Sequence, residues 1–87
     1  MKLSELTDKC VVKAKNGKIG IVVSFNGKPS HIMFNSFSNP LDKWDDSLNH
    51  QNDDYTIVDV RDGSPIENAK DGFKVKTFNE LKVLYSL

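Results

Sequence analysis

A small, mainly β barrel of five strands with one short helical insertion is the fold class this sequence predicts, and three observations carry it. The pairs Asn16-Gly17 and Asn26-Gly27 are each the preferred centre of a two-residue type I′ hairpin turn, because both central positions need φ > 0. The residues around them alternate in a period of two, the repeat of a half-buried strand. The length of 87 residues, 38% of them hydrophobic, makes one domain over residues 1–87 with a modest core.

The two turns divide the N-terminal part into strands at about Cys10 to Lys15, Lys18 to Phe25 and Lys28 to Ser36. Two-residue closure sets the pairing. Ala14 faces Ile19, Val12 faces Ile21 and Cys10 faces Val23; across the second turn Val23 faces Ser30, Ile21 faces Ile32 and Ile19 faces Phe34. One face of the meander is then apolar throughout and forms the expected core. The opposite face carries Lys13, Lys15, Lys18 and Asn35, but also Val11, Val22, His31 and Met33. That apolar cluster is expected to be covered either by the C-terminal segment or by a second copy of the chain, because monomers seldom leave such patches open.

Further along, Leu41, Trp44 and Leu48 have helical spacing, with Pro40 at the start and Asn49 at the end, which predicts a short helix over 41–49. Tyr55 to Arg61 is rich in Tyr, Ile and Val and reads as the fourth strand, closed by Asp62-Gly63-Ser64-Pro65. Ile66 to Lys70 reads as one helical turn, and Asp71-Gly72 as a reversal. Thr77 with Glu80 resembles a capping box for a terminal helix, yet Lys82 to Tyr85 also reads as a strand. A fifth, closing strand is the preferred reading, since it removes the exposed edge of the meander.

Composition excludes several classes. Twelve basic and twelve acidic residues give zero net charge, which argues against a general nucleic-acid binder. The neutrality hides three blocks: +4 over residues 1–40, −6 over 41–68 and +2 over 69–87. The lone Cys10 cannot form an internal disulfide and falls on the expected core face, so a reactive thiol is not expected. With no apolar run long enough for a signal or a membrane span, a cytoplasmic protein is the expectation. A chain this short leaves little room for a catalytic cleft of about 300 Å³ beside its core. No catalytic constellation, phosphate-binding glycine loop or metal-ligand spacing occurs, so no enzyme, metal or cofactor is expected.

Leu3-Ser4-Glu5-Leu6, Val11-Val12, Asn16-Gly17-Lys18, Gly20-Ile21-Val22, Trp44-Asp45-Asp46-Ser47-Leu48 and Tyr55 to Val60 together resemble a group of small uncharacterised phage and prophage proteins of Gram-positive bacteria. The resemblance covers most of residues 3–60, with Thr56 standing where that group frequently has an acid. It implies an SH3-like barrel and an accessory protein in the cytoplasm of a bacterial host cell, binding a host component. Its motifs are structural and carry no assigned chemistry.

Three sets of residues are candidate contact surfaces. Trp44, Asp45, Asp46, Asn49, Asp53 and Asp54, with Asp42, form an acidic patch around an aromatic anchor that would dock on a basic surface of a host protein, with antagonism of host defence as one such role. The alternative reading of the segment is that Trp44 and Leu48 face the core and the acids are a solvated loop. Val11, Val22, His31 and Met33 are the candidates for self-association into a homo-oligomer. Lys13, Lys15, Lys18 and Lys28 are the candidates for a second function, binding a nucleotide or nucleic acid, a signalling-nucleotide sponge included. A structural virion component is a third reading.

Overall fold

The computed structural model describes all of residues 1–87. Its strands are β1 (Cys10–Ala14), β2 (Ile19–Phe25), β3 (Lys28–Phe34), β4 (Ser38–Pro40), β5 (Ile57–Asp62) and β6 (Val83–Ser86), and its helices α1 (Ala69–Gly72) and α2 (Val75–Glu80). All six strands form one antiparallel sheet in the order β4-β3-β2-β1-β5-β6. The molecule is mainly β, as the sequence predicts, but the sheet has six strands and stays open, with β4 and β6 at its edges.

The meander forms, and its second turn is the predicted one: Asn26 and Gly27 both have positive φ, 52° and 76°, and Phe25 pairs with Lys28. The first turn differs. The N–H of Gly17 bonds the carbonyl of Ala14 and the N–H of Ala14 bonds the carbonyl of Lys18, so the loop holds three residues, with Gly17 alone at positive φ (88°). This is the three-residue hairpin with a glycine bulge. It moves the β1–β2 register by one residue, so Val12 faces Gly20 and Val11 faces Ile21. A second irregularity follows between Val23 and Ser24, where Ser30 is the extra residue of β3 and Pro29 sits beside it, a position open to proline at a bulge.

A shift of one residue turns a strand over. Two such shifts, one on each side of β2, invert β2 and leave β1 and β3 as predicted. Val22 therefore enters the main core with Cys10, Val12, Ala14, Ile32, Phe34 and Val60, whereas Ile19 and Ile21 turn to the other face. Gly20 also lies on the core side. A Cβ there would come within 2.6 Å of Ile32 Cγ2 and 3.0 Å of Phe34 Cε1, which is why the strand carries glycine at this point.

Both faces of the sheet are covered. Leu6, Trp44, Leu48 and Ile57 close the main core. The second face carries a smaller core in which Phe78 and Leu81 pack on Val11 and Ile19, with Ile66 and Ile21 at its margin. The C-terminal segment is both of the things it could have been, the helix α2 followed by the strand β6. The helix is capped at Lys74, so Thr77 lies inside it and forms no capping box. The expected helical turn and reversal over 66–72 are replaced by α1.

Arg61 holds this cover down. Its guanidinium pairs with Asp59 through Nε to Oδ1 at 2.9 Å and Nη2 to Oδ2 at 3.2 Å. Nη1 donates to the carbonyls of Phe78, Asn79 and Leu81 at 3.4, 3.4 and 3.2 Å, and the group lies 4.8 Å from the Phe78 ring centre. One side chain thus gathers the carbonyls at the end of α2, that of Phe78 already accepting the Leu81 N–H, and ties them to β5.

Two outcomes are expected in urea unfolding. Gly20→Ala loses about 1–3 kcal/mol through overpacking against Ile32 and Phe34. Arg61→Met, which keeps the packing on Phe78 and removes the donors, loses about 2–3 kcal/mol, the scale of hydrogen bonds to a charged group. Adding Asp59→Asn to Arg61→Met recovers part of that loss, because the unpaired carboxylate is gone.

Candidate functional site

The segment from Leu41 to Ile57 holds the residues first singled out, and it is built differently from the expected helix. Helical geometry is limited to two 3₁₀ turns, Leu41–Lys43 and Asp53–Tyr55; Trp44 is extended (φ −104°, ψ 148°) and forms an isolated bridge with His50. The reason lies in Asp45. Its Oδ1 accepts the N–H groups of Ser47 (2.9 Å) and Asn49 (3.0 Å), and its Oδ2 accepts the Asn49 side chain (3.4 Å). An aspartate bonding its own neighbours offers the backbone an alternative to the helix. The loop closes with Leu48 at φ 70°, a left-handed conformation that costs a branched residue on the order of 1 kcal/mol.

Trp44 and Leu48 are nonetheless both buried, 4% and 0% exposed, in the main core. Trp44 Nε1 donates to the carbonyl of Tyr55 at 2.9 Å, and the His50 ring packs on the indole edge to face at 4.6 Å. His50 Nδ1 accepts the Asn52 N–H at 2.8 Å. Trp44 is an internal anchor of the loop and is not free to enter a partner's pocket.

The acids of the segment stay outside. Asp42, Asp45, Asp46, Asp53 and Asp54 are all exposed, as is Asn49. Asp53 is paired with Lys15 at 2.6 Å and also accepts the Thr56 hydroxyl at 3.3 Å. The hydrogen bond to Lys15, then its charge, hold the Asp53 carboxyl below its ordinary value and raise the Lys15 ammonium above its own. The Asn49 N–H does most to lower Asp45. Asp42, Asp46 and Asp54 make no ion pair. The chain therefore presents an acidic surface on a loop fixed from beneath by Trp44 and Leu48.

The four lysines do not gather into one site. Lys15 is taken by Asp53, Lys13 lies on the second face 6.0 Å from the Phe78 ring, and Lys28 sits at the far hairpin. Lys18 lies over two aromatic rings, 5.6 Å from Phe37 and 5.9 Å from Tyr55. The cluster read as a self-association surface also divides. Val11 and Val22 are 0% and 1% exposed and lie on opposite faces of the sheet, Val11 under the C-terminal helices and Val22 in the main core, so neither can meet a second copy. The inversion of β2 causes this. On that side His31 is exposed and Met33 half-buried, with Ile21, Val23 and the exposed Phe25 beside them.

No known family, curated protein or solved structure matches the chain. The family resemblance of residues 3–60 accordingly rests on those residues alone. No group of three or more His, Cys, Asp or Glu side chains is arranged to hold a metal ion, and no helix is long and apolar enough to cross a membrane. Phe73 and Val75 line a cleft with Lys18 that was not singled out from the sequence, since nothing in the spacing connects residues so far apart.

Asp45, Asp53 and Asp62 all have carboxyls lowered from the ordinary 3.8, the last chiefly by the Ser64 hydroxyl. Lowered native values stabilise the fold fully above the unfolded value and lose that contribution as pH falls through the native one. In urea titrations these groups therefore leave stability level from pH 7 to about 5, and it declines below the ordinary carboxylate value. Asp45→Asn, which keeps the oxygen acceptor, makes that acid decline shallower.

Proposed function

We propose that this chain is a non-enzymatic binding protein that engages a basic surface of a host protein through the acidic face of residues 42–54. The observation that supports it best is the division of that segment: its apolar side chains turn inward and stiffen the loop, and its aspartates face solvent. A rigid acidic face favours a basic partner by speeding encounter and penalising acidic competitors. With Trp44 buried, contact depends on charge and on the loop backbone more than on an aromatic hot spot.

The resemblance of residues 3–60 to small phage and prophage proteins supports a host component as the partner, in the cytoplasm of a bacterial cell, with antagonism of host defence as the role. The SH3-like reading of the fold belongs to the same proposal. It draws support from the strand order, a four-stranded meander whose first strand also pairs with the fifth.

Capture from bacterial lysate tests the reading, comparing the wild type with Asp42→Lys plus Asp46→Lys. Neither side chain makes an internal hydrogen bond or ion pair, so the variant is expected to fold normally. At low salt the wild type retains a basic protein that the variant loses by roughly tenfold or more, and raising the salt weakens the wild type's hold. Equal recovery by both proteins overturns the reading. Glu80→Lys, a charge reversal on α2, serves as the control.

A further inference from the structure

A cleft of about 320 Å³ opens where the rims of the two cores meet. Its apolar lining is Ile19, Phe34 and Phe37 with Phe73 and Val75 from the junction of α1 and α2. Phe37, stacked on Phe34 at 5.2 Å and edge-on to Tyr55 at 5.6 Å, and Phe73 are half-buried, and Val75 is 56% exposed, so all three leave some apolar surface open to a ligand. The volume lies at the low end of the roughly 300–1,000 Å³ of small-molecule sites, enough for one planar ring system with its substituents.

The charge of this cleft has one sign. Lys18 is the only ionisable residue in its lining, and no carboxylate lies within ion-pair distance of its ammonium. The exposed Asn35 and Ser36 are also in the lining, and their side chains make no hydrogen bond within the protein and can serve a ligand's polar edge. The hairpin and the Phe34–Phe37 side of the cleft are held in place. Lys15 N–H bonds the Thr56 carbonyl at 2.8 Å, Asn16 N–H that of Asp54 at 3.0 Å, and Phe34 N–H that of Phe37 at 2.7 Å. Aromatic rings beside an unpaired cation are the two elements that bind a base and its phosphate.

We propose that this cleft binds a single nucleoside monophosphate, with the base against Phe37 and Phe73, its edge toward Asn35 and Ser36, and the phosphate at Lys18. A nucleic-acid strand fits less well. Strand binding draws its affinity from a row of cations along the backbone, and Lys13, Lys15 and Lys28 are directed elsewhere. The site does not depend on the acidic face, and the Asp42→Lys plus Asp46→Lys variant retains it.

Amide NMR titration of the full chain with adenosine 5′-monophosphate is the test, with adenosine, inorganic phosphate and an oligothymidylate as comparisons. The expected result is movement of the Gly17, Lys18, Asn35, Phe37 and Phe73 amides, with weaker binding of adenosine and none of phosphate alone. Lys18→Gln weakens the monophosphate roughly tenfold and leaves adenosine unchanged, the scale of one charged hydrogen bond. Phe73→Leu, which keeps an apolar side chain for folding, weakens both the monophosphate and adenosine, whereas Lys28→Gln changes neither. Absence of shifts in these amides at millimolar monophosphate overturns the proposal. So does an unchanged affinity in Lys18→Gln, or tighter binding of the oligothymidylate across both hairpins.

Discussion

β2 is apolar on both faces, and its orientation between the two cores is decided by Gly17 and Ser30, each of which adds one residue beside it. The inversion adds Ile19 and Ile21 to Val11 on the second face, and an apolar surface of that extent requires a cover. Phe78, Leu81 and Ile66 supply it. The cover is short, six residues of α2 with little intrinsic stability, so it depends on being tied down. Arg61 does this from the strand beneath by taking the carbonyls at the end of α2. Gly20 belongs to the same chain of consequence, since the inversion puts it under Ile32 and Phe34 where a side chain has no room.

The 41–57 segment shows a second constraint of the same local kind. Asp45 settles a loop in place of a helix with hydrogen bonds that reach no further than four residues. Because that loop still sends Trp44 and Leu48 into the core, the outward side of the segment is left to the polar residues. The acidic face and the buried tryptophan are therefore one arrangement. A helix over the same residues would also have buried Trp44 and Leu48, but would not have used Asp45 as its fastening.

What could be read from the sequence follows from how locally each feature is determined. The mainly β class, the three strands of the meander and the Asn26-Gly27 turn depend on neighbouring residues and were legible. The core faces of β1 and β3 were also legible, because two one-residue shifts cancel across β2. The face of β2 was not, since Ile-Gly-Ile-Val-Val offers apolar residues in either orientation, and Asn-Gly serves a three-residue bulged loop as well as a type I′ turn. The helix over 41–49 failed because loop and helix bury the same pair, Trp44 and Leu48. Of the candidate surfaces, the exposed aspartates could be found from the charge blocks. The cleft of Lys18, Phe37 and Phe73 could not, as it joins a hairpin, a loop and a helix junction that only the folded chain brings together.

Zero net charge describes neither surface. Screening limits the reach of a surface charge to about 8–10 Å at ordinary salt, so a partner meets the local arrangement and not the total. Lys15 pairs with Asp53, which leaves the acidic character with Asp42, Asp45, Asp46 and Asp54, while Lys18 has no carboxylate partner beside the cleft. The two surfaces then differ in kind. In the roles proposed for them, the exposed acidic loop acts on encounter and weakens as salt rises, whereas the cleft with its one cation and aromatic lining depends on stacking and on a single short-range charge contact. Among the four lysines, Lys18 is set apart by lying over two rings with no carboxylate partner, and the proposed nucleotide site rests on that environment.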